Sequence, residues 1–194
     1  GDFMQKNLRY FLIPVTLIFA ILALNVFTAK TTVKENLAAF PNFSTIDVNG
    51  RPATNEIFAG KFTILVLWVT KDTQSRQLLQ TLSDWQRENQ DKLQVIGLVG
   101  DVKSTDAAEK ISLARQIMAD CQAPQLLVND DMTTFLSGIK TAPTICFVNP
   151  YGQLIGQPVS GYEIDLIKKE VRRLMTADSP ANIDKSLLMK KLAQ

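Results

Sequence analysis

Eight consecutive residues, Phe62-Thr-Ile-Leu-Val-Leu-Trp-Val69, carry no charge and a single hydroxyl. A strand with one face in water alternates polar and apolar residues. A continuous run rich in β-branched and aromatic side chains must be covered on both faces. That demands layers on either side of a sheet, so the chain is expected to fold as an α/β domain.

The rest of the sequence fits this demand. Phe43-Ser-Thr-Ile-Asp-Val48 reads as a strand that ends in the hairpin signal Asn49-Gly50, and Thr54 or Asn55 caps a short helical turn through Ile57 and Phe58. Leu78, Leu79, Leu82 and Trp85 recur at helical spacing, which predicts an amphipathic helix over 72–89. Leu93–Val99 is a second buried strand. Ser104 or Thr105 then opens a helix carrying Ala108, Ile111, Leu113, Ala114, Ile117 and Met118, stopped by Pro124 near Cys121. Gln125–Val128 reads as a short strand, 130–136 as a short helix and Gly138 as its C-cap. Thr144–Val148 and Gln153–Gly156 form a hairpin across the turn Asn149-Pro-Tyr-Gly152. A terminal helix over 162–175 points Ile164, Leu166, Ile167, Val171 and Leu174 inward and Lys168, Lys169, Arg172 and Arg173 outward.

Outside this domain, Tyr10 to Ala29 is a twenty-residue run without a charge, preceded by Lys6 and Arg9. It has the length of a membrane-spanning helix, ~20 residues, and the preceding cations favour a cytoplasmic N-terminus. A cleaved signal peptide would carry a core of ~7–15 apolar residues and a small residue where Phe27 stands. The expected organisation is therefore a cytoplasmic N-terminus at 1–9, a transmembrane anchor or signal at 10–29, a polar tether at 30–41, the α/β domain at 42–175 and a basic amphipathic tail at 176–194. A domain placed beyond such an anchor faces the extracytoplasmic side of the membrane.

Several chemistries are excluded. The chain has no histidine, which rules out Ser-His-Asp and Cys-His hydrolases and removes the commonest ligand of zinc and copper. Its two cysteines, Cys121 and Cys146, stand 25 residues apart, with no CxxC spacing. No metal and no cofactor is expected. Twenty-one Lys and Arg against 19 Asp and Glu leave +2, too little and too evenly mixed for a surface that tracks nucleic-acid phosphates.

Three stretches, in order, carry a resemblance. Asp47-Val-Asn-Gly50 with Phe58-Ala-Gly-Lys-Phe62, then Val66-Leu-Trp-Val-Thr70, then Gly138-Ile-Lys-Thr-Ala-Pro-Thr144 with Phe147-Val-Asn-Pro-Tyr-Gly-Gln-Leu-Ile155 and Gly161-Tyr162, resemble the membrane-anchored thioredoxin-like proteins of the TlpA, ResA and DsbE (CcmG) type. That family consists of thiol–disulfide oxidoreductases working outside bacterial membranes. The resemblance implies a thioredoxin-like fold over about 41–174, a single-pass anchor in a bacterial membrane, and a cis proline at Pro143.

The departure from the family lies at its chemistry. Where those proteins carry Trp-Cys-x-x-Cys, this chain reads Lys71-Asp72-Thr73-Gln74-Ser75. Thiol–disulfide exchange requires an attacking thiolate and a resolving thiol, and Asp72 and Ser75 supply neither. In their place Asp72 or Thr73 reads as the N-cap of the following helix. The expectation is a non-catalytic module that binds a protein or peptide in a groove formed by Trp68, Lys71, Asp72, Thr73, Gln74, Ser75, Ala142 and Pro143. The alternative is an atypical thiol–disulfide oxidoreductase or thiol peroxidase using Cys121 or Cys146. An oxidising compartment permits a Cys121–Cys146 disulfide, but pairing needs Cα atoms within ~7 Å. A general base at Asp72 has no second catalytic group beside it.

Overall fold

The computed structural model describes residues 38–177, apart from Gln90. The strands are β1 (Ala38–Ala39), β2 (Ser44–Ile46), β3 (Pro52–Thr54), β4 (Phe62–Trp68), β5 (Leu93–Lys103), β6 (Gln125–Val128), β7 (Thr144–Val148) and β8 (Gln153–Ser160). The helices are α1 (Gln74–Arg87), α2 (Ala108–Ile117), α3 (Thr133–Ser137) and α4 (Ile164–Ala177), with 3-10 turns at Asn55–Phe58 and Asp130–Met132. Six strands form one mixed sheet in the order β1-β8-β7-β4-β5-β6. β4 and β5 run parallel, as do β5 and β6, while β7 and β8 are antiparallel to their neighbours. β2 and β3 make a separate hairpin.

All seven residues of β4 are buried, as its unbroken apolar run requires. The pleat sends Phe62, Ile64, Val66 and Trp68 to one face and Leu65 and Leu67 to the other. The first face is covered by Leu78, Leu79 and Leu82 of α1, Ala114 of α2, Met118 and Ile167, Val171 and Leu174 of α4. The second is covered by shorter pieces, chiefly Phe40, Phe43, Ala53, Phe58 and Met132, with Phe135 and Ile139 packed against them.

Two turns are built by the same device. The carboxylate of buried Asp47 accepts the backbone N–H groups of Asn49 (2.8 Å) and Arg51 (2.9 Å), closing the β2–β3 loop around Gly50. The amide oxygen of buried Asn149 accepts those of Tyr151 and Gln153, both at 3.0 Å, closing the β7–β8 turn. A short side chain that bonds the main chain two and four residues on replaces ladder bonds that the turn cannot make. Thr54 caps the first 3-10 turn as expected, accepting from the Glu56 N–H.

Several boundaries differ from expectation. Ala38 and Ala39 pair with β8, and Phe40 is buried, so residues 38–41 of the expected tether belong to the fold. β5 runs on to Lys103 with a register shift past Val99; its end is held by Asp106, which accepts from the Lys103 N–H at 2.8 Å. α2 consequently starts at Ala108 rather than at Ser104 or Thr105, and its N-cap Ala107 makes no side-chain cap bond. Leu166, expected inward, is half exposed, as is Leu113 of α2, and Trp85 is half-buried at the rim, where Lys168 and Arg172 stack over its ring. Gly138 ends α3 as expected, but in the right-handed region. β8 extends four residues past its expected end at Gly156, where a φ of +66° turns the chain and a register shift against β7 follows. The apolar run 10–29 and the tail from 178 lie outside the described residues. Among the described residues no helix is long and apolar enough to cross a membrane.

Candidate functional site

The carboxyl ends of β4 and β5 set the position of the loop that leads into α1. Thr70 donates its backbone N–H to Asp101 (3.0 and 3.1 Å to the two oxygens) and its hydroxyl to Oδ2 (2.6 Å). The Asp72 N–H then donates to the Val69 carbonyl, turning the chain so that α1 begins two residues later.

At that start Asp72 and Ser75, which the sequence resemblance aligns with the cysteine positions of the TlpA-type proteins, are bonded to each other. Ser75 Oγ donates to Asp72 Oδ2 at 2.6 Å, and Asp72 Oδ1 accepts the Gln74 N–H at 3.0 Å. Asp72 thus performs the capping expected of Asp72 or Thr73. Thr73, the residue next to the helix, makes no side-chain cap bond. A third group completes the cluster: the Tyr162 hydroxyl, from the segment before α4, donates to Asp72 Oδ2 at 2.5 Å. Partial burial pushes the Asp72 carboxyl upward, but the bonds from Ser75, Tyr162 and the backbone of Gln74 and Ser75 outweigh it and hold it below the ordinary carboxylate range. Burial, and then the bond to Asp72, push the Tyr162 phenol above its usual value. The cluster therefore holds one carboxylate and two hydroxyl donors, and it contains no sulfur.

The expected groove residues separate into two sets. Lys71, Thr73 and Gln74 are exposed, and Asp72 and Ala142 are half-buried. Trp68 and Ser75 are fully buried and Pro143 is buried, so these three do not line a surface groove. Trp68 shares the pleat parity of Ile64 and Val66 and points beneath α1, where its Nε1–H donates to Gln125 Oε1 at 2.8 Å. Ser75 points inward because Asp72 draws its hydroxyl back across the first turn. The Ala142–Pro143 peptide bond is cis, and the Pro143 carbonyl accepts the Gly161 N–H at 3.1 Å. The Pro143 loop and the segment bearing Tyr162 are thereby held together.

Sequence reasoning passed over Asp101 and Tyr162 as site residues. Asp101 lies just past the expected end of its strand. Tyr162 stands next to Gly161, within the stretch that carries the resemblance, but its bond to Asp72 spans ninety residues and no local pattern announces it.

Beside the cluster, between α1 and the start of α4, lies a groove of about 280 Å³ lined by Gln74, Gln77, Leu78, Thr81, Tyr162 and Ile164. A second, apolar cavity of about 240 Å³ lies on the other side of the fold, against Phe135, Ile139, Cys146, Leu154 and Pro158.

Both cysteines are free thiols, and the expected possibility of a disulfide between them fails on topology. Cys146 packs in the core on one face of the sheet, while Cys121 packs against the core on the other. Burial pushes the Cys146 thiol up to about 12. Cys121 is half-buried, with Ser83 Oγ at 3.4 Å and Gln125 Nε2 at 3.7 Å from its sulfur. Among the described residues no group of three or more Cys, Asp or Glu side chains is placed to hold a metal ion.

No model of a known protein family matches the sequence, and no curated protein matches it. Solved structures do match in fold. The pneumococcal exposed lipoprotein thioredoxin of Streptococcus pneumoniae is 19% identical, with a TM-score of 0.56 over 68% of this chain and 98% of its own. The thioredoxin domain of a thiol-disulfide oxidoreductase from Bacteroides vulgatus is 17% identical, with a TM-score of 0.52 over 69% and 96%. A protein of Chlorobium tepidum described as a thiol:disulfide interchange protein DsbE is 16% identical, with a TM-score of 0.54 over 73% and 96%. The chain has a thioredoxin-like α/β fold, in which a mixed sheet is covered by helices.

Proposed function

We propose that this chain is a membrane-tethered thioredoxin-fold module that works outside the cytoplasm by binding a protein or peptide, without thiol–disulfide chemistry at the position its relatives use. The observation that carries this reading is the 2.6 Å hydrogen bond from Ser75 to Asp72. It joins, without sulfur, the two positions that in the resembling family carry the dithiol. A carboxylate and a hydroxyl cannot form or exchange an S–S bond, yet the bond keeps the helix start in place, and the same carboxylate accepts from Tyr162, next to Gly161, whose N–H bonds the Pro143 carbonyl. Extended peptides bind exposed backbone by main-chain hydrogen bonds, a mode that needs no thiol. Lys71, Thr73, Gln74 and Ala142 form the accessible part of that surface.

Membrane attachment rests on the apolar run 10–29 and its preceding cations. Protease added to intact spheroplasts should digest the domain and spare the N-terminus.

Turnover and crosslinking test the reading together. Disulfide-reductase and thiol-peroxidase rates of the full chain should not exceed those of the Cys121→Ala/Cys146→Ala double variant. A photo-crosslinker placed at Ala142 or Thr73 should trap a partner that the same group at exposed Glu56 does not. Turnover lost on Cys121→Ala or Cys146→Ala would overturn the reading and make that thiol the site. Equal crosslinking from all three positions would remove the binding surface.

A further inference from the structure

The groove between α1 and the start of α4 has a chemical character of its own. Gln74, Gln77, Leu78 and Thr81 stand at helical positions i, i+3, i+4 and i+7, so they form one stripe along α1. Charged residues such as Arg76, Asp84 and Arg87 occupy the same helix, but none lines the groove. Leu78, which is buried, and half-buried Ile164 form an apolar floor. Two primary amides and a hydroxyl make the rim, and the Tyr162 ring makes the end wall. That ring stands where it does because its hydroxyl is tied to Asp72 at 2.5 Å.

We propose that this groove seats one apolar side chain of an uncharged, extended peptide segment, with the Gln74 and Gln77 amides bonding the peptide's main chain and Asp72 serving as the positioning residue that fixes the Tyr162 wall. The proposal rests on the binding reading above and gives it a partner chemistry. Complementarity of charge carries it. A charged side chain entering the groove would lose hydration and meet no charged lining residue, while the Asp72 carboxylate behind the Tyr162 wall is already engaged by Ser75, Tyr162 and the Gln74 N–H; a primary amide instead offers two N–H donors and a carbonyl acceptor, matching the acceptor and donor of a peptide unit. The volume agrees, since about 280 Å³ lies just under the ~300–1,000 Å³ of small-molecule pockets and suits a single side chain with its flanking backbone. An aromatic wall held rigidly provides contact area at low conformational cost.

The test follows the side-chain amide signals of Gln74 and Gln77 by NMR. The full chain in detergent micelles is titrated with acetyl-Ala-Leu-Ala-amide and with its counterparts carrying Glu or Lys in place of Leu. The Leu peptide should shift both amides with half-saturation at about millimolar concentration, and the charged peptides should bind at least ~10-fold more weakly. Tyr162→Phe, which keeps the ring and cuts its tie to Asp72, should weaken binding about 3-fold or more. Thr81→Arg, an exposed substitution that fills the groove, should abolish the shifts. Shifts confined to Lys71 and Ala142 would overturn the groove and leave the binding reading standing. Equal affinity for all three peptides would overturn selection for neutral segments, and absence of shifts anywhere would overturn both proposals.

Discussion

A β-carbon added at Gly97 would lie 1.9 Å from Gln125 Oε1. The side chain of Gln125 occupies that space because it has two appointments in the core: it accepts from Trp68 Nε1 at 2.8 Å and donates to the Ala123 carbonyl at 2.8 Å. A glycine in the middle of a strand normally weakens it. Here the missing side chain lets an amide cross from β6 to the strand that ends at the candidate site.

Gly97→Ala should therefore cost more than a methyl group's volume. Gln125 must withdraw, leaving the buried Trp68 indole N–H without its acceptor, a loss of about 1–3 kcal/mol. Gln125→Ala makes room for the methyl but loses the same bond, so the double variant should be destabilised by less than the sum of the two single variants. Urea unfolding of the four proteins measures this. Strict additivity would show that the two positions do not share the space.

The Asp72 cluster predicts a defined pH dependence. The carboxyl titrates below the ordinary range in the folded chain, so the unfolded chain takes up its proton first as pH falls. The stabilisation is complete above an unfolded value of about 3.9 and is lost as pH drops through the folded value. Tyr162 sets the opposite limit. Its raised phenol contributes fully below about 10 and loses that contribution as pH rises through the folded value. Tyr162→Phe should move the Asp72 carboxyl upward, towards its ordinary value, in a side-chain carbon NMR titration. An unchanged midpoint would mean that the tyrosine bond does not hold the carboxylate.

How legible these relationships were follows from their range along the chain. β6 and β7 match the expected spans because each is a compact apolar run bounded by turn residues. The two-residue period of β4 also contained the burial of Trp68, since Ile64, Val66 and Trp68 must share a face. Proximity in sequence to the Asp72 loop argued for a groove instead, and the pleat decided the outcome. Tyr162 and Asp101 were not legible, because the bonds that make them matter join residues 90 and 31 positions apart. β1 was missed because Ala38 and Ala39 carry no strand signal; only their pairing with Leu154 and Gln153 defines them.

The thiols should differ in reactivity. Cys146 is 4% exposed and its pKa is pushed up to about 12 by burial, so at pH 8 almost none of it is the reactive thiolate. Ellman's reagent should label about one thiol per native chain and two after denaturation, and the native reaction should vanish in Cys121→Ser. Raising the pH above the unfolded thiol value of about 8.5 should lower stability, because the unfolded chain then ionises a group that the fold keeps protonated. Rapid labelling of Cys146 in the native chain would show that its strand opens to solvent.

Phe40 tests where the domain begins. It is 3% exposed, and its ring lies 5.7 Å from Phe43, 5.1 Å from Phe58 and 4.7 Å from Phe135, in edge-on and tilted contacts. The face it covers has no long helix over it, so this aromatic group supplies much of the closure. Phe40→Ala removes a fully packed ring and should cost about 3–5 kcal/mol. Asn42→Ala, exposed two residues later, should stay within about 0.5 kcal/mol of the parent. If residues up to 41 were only a polar tether, both substitutions would leave the urea midpoint unchanged. A large loss at Phe40 alone places the start of the fold before it, with β1 and its pairing to β8 part of the cooperative unit.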